Sequence, residues 1–456
     1  MPAIPTLKIS ISGVRGVVGD SLTPDLLTRF SQAFGTYIGS GRVVVGRDTR
    51  TSGEMVRQAV VAGLLSTGCR ISDAGVCPTP TVQLLVRHLR AHGGIAITAS
   101  HNPPEWNALK FVGPDALFLS GGRGRELLDI YHQGDYTKAR SHRLRGVEDV
   151  PDAVDLHLDA VLGAVGPLPA GRRPKVVIDS CNGAGAVAGP RLLERLGAEV
   201  IGINVTPDGS FPRPAEPTAE NLRSLCDAVR RHGADIGFAQ DMDADRLAVV
   251  SEEGTPIGEE RTLLLAIEHV LSQTPGPVVV NLSTTRAVEE VAARYGCRAC
   301  RTAVGEANVT AGMQRFRAVI GGEGNGGVIY PAINFARDSL VGMALILHRL
   351  VSSGQRVSEL AAALPPFEMV KMQFPFPSQR LRDVLRRAAR EYQAYPQDLR
   401  DGVKVTLPDG WFLLRGSNTE PVMRVIAEAD DAGAAHALAA RVREQVEAWV
   451  TEPPRP

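Results

Sequence analysis

Residues 176–201 read VVIDSCNGAGAVAGPRLLERLGAEVI. The stretch opens with a β-branched strand, continues through a polar turn and an amphipathic helix, and reaches Gly197 before a second strand. Two other segments repeat this order, from Val43 to Ile71 and from Val278 to Ala299. Since a strand, helix and strand at this spacing form a right-handed βαβ unit, the chain is predicted to contain three similar α/β modules with mixed, mostly parallel sheets.

Polar and Pro/Gly-rich stretches predict where one module ends and the next begins. The last stretch of this kind, Leu364-Pro365-Pro366-Phe367, precedes a region that lacks the βαβ pattern. Strands over 402–406, 411–414 and 424–428 with two helices predict that this region is a smaller α+β domain. The four predicted domains are residues 1–150, 151–255, 256–369 and 370–456.

Composition places the chain among ordinary globular proteins. Its 456 residues are too many for one core, and 44% of them are hydrophobic and 22% charged. Lys and Arg number 50, as do Asp and Glu, so bulk charge favours neither nucleic acid nor an anionic membrane as a partner. We find no apolar run of membrane-spanning length and no signal-peptide core, and we expect a cytoplasmic protein.

Six cysteines are scattered along the chain, and two of them form Cys297-Arg298-Ala299-Cys300. That spacing occurs in redox and zinc sites, but no second Cys or His pair completes a metal site. The cysteines are therefore predicted to be buried, reduced thiols.

A dense polar turn follows the apolar run Gly94–Ile97. Ser100 lies at its tip, His101 is its neighbour, and Lys110 follows ten positions later. A hydroxyl nucleophile needs a base and nearby positive charge. This stretch supplies the hydroxyl, a candidate base and a cation. The alternative is a turn, rich in Ser, Asn and Pro, that only reverses the chain.

Alternating aspartates characterise a second stretch, Gln240 to Arg246. Asp241, Asp243 and Asp245 could direct three carboxylates at one hard cation. An EF-hand is excluded because Arg246 stands where that loop needs glycine, and an apolar strand follows at once. The pattern favours a Mg²⁺ site over a solvated acidic turn.

Glycine dominates a third stretch, Gly321 to Gly327. Such a backbone can approach a ligand closely, with Glu323 and Asn325 available to hydrogen-bond sugar hydroxyls. A glycine-rich hairpin without a ligand is the alternative.

The fourth stretch, Leu414 to Arg424, combines cations, hydroxyls and an amide in one turn. Such a turn could hold a phosphate dianion or could be a plain turn. The candidate phosphate-binding residues are Arg415, Ser417, Asn418, Thr419 and Arg424. Two other arginine-containing loops, around Arg15 and over Arg47 to Arg50, give weak signals, and the latter could be only a surface ion pair.

Together the four stretches resemble the α-D-phosphohexomutase family, which includes phosphoglucomutase, phosphomannomutase and phosphoglucosamine mutase. The resemblance covers essentially the whole chain, with the loops in the family's order. Residues 98–103 are similar to the phosphoserine loop, 241–246 to the metal loop, 322–327 to the sugar loop and 415–421 to the phosphate-binding loop. The resemblance implies three similar α/β domains and a distinct fourth domain around a central cleft.

The resemblance also implies a reaction. Ser100 would carry a phosphoryl group, with Mg²⁺ bound by this phosphate together with Asp241, Asp243 and Asp245. The group would pass to the free hydroxyl of a hexose 1- or 6-phosphate, and the resulting bisphosphate would turn over and return its other phosphate to Ser100. A hexose 1,6-bisphosphate would serve as primer. Phosphosugars are the implied partners, without nucleic acid or membrane, and we expect a monomer or homodimer.

Individual roles follow from the same resemblance. Arg15, Arg246 and Lys110 would stabilise charge on the transferring group, and His101 and Lys110 are the candidates for proton movement. Glu323 and Asn325 would hold sugar hydroxyls. The phosphate that is not transferred would be bound by Arg415, Ser417, Asn418 and Thr419, with Arg424 as a further cation.

Two departures from the family pattern bear on the substrate. Many members end the sugar loop with Ser-Gly-His, whereas this chain has Asn325-Gly326-Gly327. Phosphomannomutase/phosphoglucomutase enzymes typically carry a lysine where this chain has residues 282–285, Leu-Ser-Thr-Thr. Both departures are closer to archaeal-like phosphoglucosamine mutases, so glucosamine phosphate is the hypothesised substrate. Phosphomannomutase/phosphoglucomutase activity is the alternative. A phosphatase using Asp241 and Asp243 as aspartyl-phosphate sites, or a non-catalytic sugar-phosphate sensor, is more distant.

Overall fold

The structure, a computed structural model, describes residues 6–10, 13–171, 173–416 and 421–451. Its first module contains β1 (Lys8–Ser10), β2 (Gly13–Val17), α1 (Pro24–Tyr37), β3 (Arg42–Arg47), α2 (Gly53–Ser66), β4 (Arg70–Val76), α3 (Thr79–His88), β5 (Gly93–Ile97), β6 (Trp106–Val112), α4 (Gly121–Gln133) and β7 (Val147–Asp149).

The second module contains α5 (Ala153–Val165), β8 (Lys175–Asp179), α6 (Gly189–Arg195), β9 (Glu199–Ile203), α7 (Arg223–His232), β10 (Ile236–Gln240) and β11 (Leu247–Ser251). The third contains α8 (Glu259–Gln273), β12 (Val278–Asn281), α9 (Ala287–Arg294), β13 (Ala299–Thr302), α10 (Glu306–Phe316), β14 (Ile320–Glu323), β15 (Gly327–Ile329), α11 (Ser339–Ser353) and α12 (Val357–Ala362).

The C-terminal domain contains β16 (Glu368–Pro375), α13 (Leu381–Glu391), β17 (Gln397–Asp398), β18 (Val403–Leu407), β19 (Gly410–Gly416), β20 (Val422–Ala429) and α14 (Ala432–Thr451). Its strands form one antiparallel sheet in the order β16-β20-β19-β18-β17. The predicted α+β domain is therefore confirmed, with two strands, β16 and β17, that the sequence analysis did not identify. Strand β16 lies at the sheet edge, where its terminal proline is tolerated.

The same four-stranded arrangement occurs in each of the first three modules. The orders are β4-β3-β5-β6, β9-β8-β10-β11 and β13-β12-β14-β15, and the first sheet is extended by β2 and β1 at one edge and β7 at the other. In each arrangement three strands are parallel and the fourth pairs antiparallel with the third. The predicted triplication and its mixed sheets are confirmed.

This arrangement places three of the sequence motifs at equivalent positions. The connection between the third and fourth strands runs over 98–105 in the first module, 241–246 in the second and 324–326 in the third. Ser100, Ala244 and Gly326 have φ values of 49°, 55° and 79° in these connections. The first two are non-glycine residues in the left-handed region, which is uncommon and frequent at functional sites.

The predicted boundaries stay predictions, although two elements bear on their placement. Strand β7 pairs with β4, so residues up to Asp149 complete the first sheet. Strand β16 belongs to the last sheet. It begins at Glu368, and this residue is two positions before the expected start of the fourth domain. The chain passes from Pro365-Pro366 into that strand with almost no linker.

One hydrophobic core is shared by all three modules. Helix α11 is buried along most of its length and packs on α5, α6 and α8.

Four cysteines, at 69, 77, 181 and 226, are buried as predicted, whereas Cys297 and Cys300 are only partly buried, and all six are free thiols. In the described part of the chain we find no helix that combines the length and apolarity needed to cross a bilayer.

A buried histidine pair in this core predicts an acid sensitivity. Burial and the nearby His348 and Arg349 lower the pKa of His269 to about 4, and the two imidazole rings are 5.9 Å apart. Because an unfolded histidine has a pKa of about 6.5, only the unfolded chain takes up this proton as the pH falls below that value. Stability present at pH 7 should therefore decrease toward pH 4.

Replacing His269 by Leu should reduce this loss. We expect the decrease in melting temperature between pH 7 and pH 5 to be about 2 °C smaller in His269→Leu than in the wild type, measured by calorimetry. An exposed histidine of α14 provides the control, so His436→Leu should follow the wild type. Parallel pH profiles for wild type and His269→Leu would contradict the prediction.

Candidate active site

Ser100 lies at the carboxyl end of β5 and points at the second module. Its hydroxyl donates a 2.7 Å hydrogen bond to Asp241 Oδ2, across 141 residues of sequence. Its backbone N–H donates to Thr98 Oγ1 at 2.9 Å, and this bond accompanies the left-handed backbone at Ser100. The serine is 7% exposed, so the hydroxyl predicted as a nucleophile is held in a fixed position.

Arg50 holds the loop that carries Ser100. The sequence leaves open that Arg47 to Arg50 forms only a surface ion pair, but Asp48 and Arg50 are each only 1% exposed, with Arg50 Nε 3.1 Å from Asp48 Oδ2. The remaining guanidinium N–H groups donate to four backbone carbonyls of the loop, those of Ser100, Asn102, Pro103 and Trp106. The Asp48–Arg50 pair is therefore buried and not a surface ion pair, and the guanidinium supplies donors to the carbonyls of the loop.

The three aspartates of the second module converge. One carboxylate oxygen from each of Asp241, Asp243 and Asp245 lies within 4.8 Å of the others. Asp243 Oδ1 and Asp245 Oδ1 are buried and receive no hydrogen bond. Buried carboxylate oxygens without donors are costly unless a cation satisfies them, so the donor set fits Mg²⁺, which prefers oxygen ligands.

Lys110 of β6 contacts the same carboxylates from the first module. Its Nζ lies 2.6 Å from Asp243 Oδ2 and 3.6 Å from Asp245 Oδ2. Burial alone would lower the pKa of Lys110, but these carboxylates raise it above its ordinary value. The pKa of Asp243 is correspondingly lowered, against its burial, by Lys110 and by a hydrogen bond from Thr79. Burial and its two neighbouring carboxylates raise the pKa of Asp241.

His101 lies in a cationic environment. Burial, followed by Arg246 and Arg15, lowers the pKa of His101 to about 2, so its imidazole is neutral at physiological pH. Arg15 Nη1 donates to Asn102 Oδ1 at 3.1 Å, in the same loop. Arg246 Nη1 lies 2.7 Å from Glu216, a residue in a proline-rich loop that the sequence analysis did not single out. A proline-bounded glutamate carries no recognisable sequence signal.

The sugar-loop candidates lie one module further on. Glu323 Oε1 accepts from Asn281 Nδ2 at 2.8 Å and from the Gly305 N–H at 3.0 Å. Asn325 Oδ1 accepts from the Gly327 N–H at 3.2 Å, which closes the turn. Arg337 was also missed by the sequence analysis, and its Nη1 lies 3.0 Å from Glu323 Oε2.

The phosphate-loop candidates are only partly described. Arg415 is 8% exposed, its Nη2 lies 3.3 Å from Asp401 Oδ2, and its Nε is buried without an acceptor. Arg415 and Arg424 are cross-strand partners on β19 and β20. Ser417, Asn418 and Thr419 lie outside the described residues. Asp401 Oδ2 also accepts from the Val304 N–H at 3.0 Å, so the C-terminal domain meets the third module beside Glu323.

Four family models match the chain in succession. They are "Phosphoglucomutase/phosphomannomutase, alpha/beta/alpha domain I" at residues 7–138, domain II at 159–254, domain III at 259–367 and the C-terminal domain at 373–445. The matches follow the order of the three modules and the C-terminal sheet.

Similar proteins are found among both sequences and structures. A Thermococcus kodakarensis protein named "Phosphoglucomutase/phosphomannomutase" is 38% identical over 426 residues, which cover 91% of this chain and 93% of that protein. A Methanopyrus kandleri protein named "Probable phosphoglucosamine mutase" is 39% identical over 423 residues, covering 92% and 93%. The crystal structure of a phosphoglucomutase/phosphomannomutase family protein from Burkholderia thailandensis matches with a TM-score of 0.85 and 28% identity, covering 98% of this chain and all of that one.

Arg50→Lys tests how the Ser100 loop is held. Lysine has three donors on a flexible stem and cannot serve Asp48 and four carbonyls together, so we expect a loss of about 3 kcal/mol in unfolding free energy. Urea denaturation would measure it. Arg123→Lys is the matched control, because Arg123 pairs with Asp115 at the surface of the same module and should cost less than about 1 kcal/mol. Equal losses for the two variants would refute the holding role.

Proposed function

The chain belongs to the α-D-phosphohexomutase family, and from this premise we propose that Ser100 carries the phosphoryl group in the interconversion of glucosamine 6-phosphate and glucosamine 1-phosphate. As a family member it is an isomerase, a phosphohexomutase that moves a phosphoryl group between two positions of a sugar phosphate.

The observation that carries the proposed role is the 2.7 Å contact between Ser100 Oγ and Asp241 Oδ2. It joins a buried hydroxyl of the first module to the carboxylate triad of the second. Mg²⁺ bound by Asp241, Asp243 and Asp245 would supply positive charge beside a phosphate on Ser100. Phosphorylation of Ser100 would remove the present hydrogen bond to Asp241 and place a second negative group beside the triad, where the charge of a bound Mg²⁺ would offset the repulsion.

The transfer step conserves one phosphoryl group. The P–O bond to Ser100 breaks as a bond forms to the free hydroxyl of the sugar monophosphate, and that hydroxyl loses its proton. The serine oxygen gains a proton in the same step, and Lys110 and His101 are the proposed groups for this proton movement. Lys110 stays protonated close to the triad and is suited to stabilise charge. The lowered pKa of His101 makes its imidazole a weak base. Arg15 and Arg246 would stabilise charge on the group in transit.

The substrate would be held at two further places. Glu323 and Asn325 would hydrogen-bond sugar hydroxyls, and Arg415 would bind the phosphate that is not transferred. The buried Nε of Arg415 has no acceptor, which supports an anionic ligand at this point. Ser417, Asn418, Thr419 and Arg424 are proposed to complete this clamp, and one clamp would accept either end of the sugar.

The preference for glucosamine is supported by the sugar-loop variant Asn325-Gly326-Gly327 and by the name of the Methanopyrus kandleri relative. The Thermococcus kodakarensis relative carries the name phosphoglucomutase/phosphomannomutase, so that activity is the second candidate. Glucose, mannose and glucosamine differ at C2, where one hydrogen bond sets a preference without excluding the others. We further propose a hexose 1,6-bisphosphate primer, a cytoplasmic location and a monomer or homodimer.

A substrate panel tests the activity and the preference together. Purified protein with Mg²⁺ and a hexose 1,6-bisphosphate should convert glucosamine 6-phosphate into the 1-phosphate about tenfold more efficiently than the glucose or mannose compounds, measured as kcat/KM. Isomerisation of none of the three would disprove the mutase. Release of inorganic phosphate instead would favour the aspartyl-phosphate phosphatase, and tight binding without turnover would favour the sensor.

Ser100→Ala should abolish turnover and leave the melting temperature nearly unchanged, because the serine hydroxyl makes a single side-chain hydrogen bond. Intact mass spectrometry after incubation with the bisphosphate should show one added phosphoryl group on wild type and none on the variant. Ser141→Ala, at an exposed site, is the control and should behave as wild type. An active Ser100→Ala would show that the carrier is another residue.

A further inference from the structure

We propose that Arg337 is a positioning residue that aligns the metal loop with the sugar loop, an inference that rests on the proposed function. Its three guanidinium nitrogens each meet a different carboxylate. Nη2 lies 2.6 Å from Asp245 Oδ2, Nε 3.0 Å from Glu306 Oε2 and Nη1 3.0 Å from Glu323 Oε2. Asp245 belongs to the second module and the two glutamates to separate segments of the third, so one planar cation connects the two loops.

Arg337 also explains the glycine at position 327. A Cβ built on Gly327 would lie 2.4 Å from Arg337 Cδ and 3.0 Å from its Cγ. The backbone at Gly327 does not need glycine for a positive φ, since it lies in the regular hairpin register opposite Glu323. The side chain of Arg337 thus fills the volume that a side chain at 327 would need.

The backbone that presents Arg337 is fixed by the shared core. The next residue, Asp338, caps α11 by accepting from the Leu340 N–H at 2.9 Å. Its other carboxylate oxygen contacts His157 Nε2 at 2.8 Å, and both residues are almost fully buried. Because this origin is buried and hydrogen-bonded, the position of the guanidinium is set by packing on the core side of Arg337.

The contacts define what Arg337 does to the two loops. With Oδ2 of Asp245 engaged, the donor-free Oδ1 is the oxygen left for a cation. With Oε2 of Glu323 engaged, the carboxylate is fixed from both sides, because Oε1 already accepts from Asn281 and Gly305. Each of the three nitrogens of Arg337 donates to one of these carboxylates, so we assign Arg337 the role of orienting both loops.

A double-mutant cycle of Arg337 and Gly327 tests this role. Arg337→Ala removes the guanidinium, whereas Gly327→Ala keeps the guanidinium but displaces the aliphatic part of the Arg337 side chain. We expect kcat on the sugar phosphate turned over by the wild type to fall about 100-fold in Arg337→Ala and about tenfold in Gly327→Ala. The double variant should be little slower than Arg337→Ala alone, because Arg337 Cδ is the atom that a side chain at 327 approaches most closely, with Asn325 Oδ1 also at 3.0 Å.

Two further variants separate positioning from general stability. Arg337→Lys keeps the charge but not the fork and should recover only part of kcat. Arg349 of α11 pairs with Glu268 away from the loops, with Nη2 3.1 Å from Oε2. Arg349→Ala removes a cation of the same module without changing either loop and should keep kcat within about twofold of wild type.

Hydrogen exchange supplies a readout that does not depend on turnover. In the protein with Mg²⁺ alone, Arg337→Ala and Gly327→Ala should each raise amide exchange in peptides covering both 241–247 and 323–328, and Arg349→Ala in neither. A wild type without mutase activity would disprove the proposed function and leave exchange to decide the role of Arg337. Multiplicative effects of the two single variants, wild-type kcat in Arg337→Ala, or increased exchange in one loop only would overturn the inference.

Discussion

Mutual repulsion among three buried carboxylates is the constraint on which this structure depends. Asp241, Asp243 and Asp245 bring oxygens within 4.8 Å of one another at almost no solvent exposure. Such a cluster is stable only if positive charge surrounds it. The second module supplies the carboxylates, but much of the balancing charge comes from elsewhere, with Lys110 from the first module and Arg337 from the third. The charges of one loop therefore link all three modules.

From that centre a continuous path of polar contacts reaches the C-terminal domain. Ser100 contacts the triad, Arg337 leads from the triad to Glu323, and Glu323 accepts from the backbone at Gly305. The neighbouring Val304 N–H donates to Asp401, which pairs with Arg415. Each proposed ligand-binding loop is thus one or two contacts from the next, and a sugar phosphate that bridges them would meet residues already held in register.

Much of the fold was predictable because strand and helix periodicity is local. The three βαβ segments, the helix over 153–165 and the α+β character of the last domain all follow from patterns within some thirty residues. Strand β16 was not predicted because an edge strand that ends in proline has a weak alternation of apolar and polar residues. The motif loops were found from residue types alone, but their equivalence depends on strand order, which periodicity does not encode.

The residues that sequence reasoning missed share one property: their partners are distant in the chain. Arg50 looked like a surface cation because its neighbours are polar, yet its acceptors are carbonyls about fifty positions away. Arg337 lies in a segment with no motif and is defined by three carboxylates from other segments. Gly327 was predicted only as part of a glycine-rich loop that approaches a ligand, whereas the volume that its side chain would need is filled by a side chain ten residues later.

The equivalent placement of the three loops has a consequence for how such a site could arise. One hairpin connection, between the third and fourth strands of a repeated unit, carries the hydroxyl in the first copy, the carboxylates in the second and the glycine-rich turn in the third. An ancestral unit repeated three times would have presented three identical turns to one another before any of them was specialised. Each copy of the turn would then have specialised in one function, and each could lose the residues for a function that another copy retained.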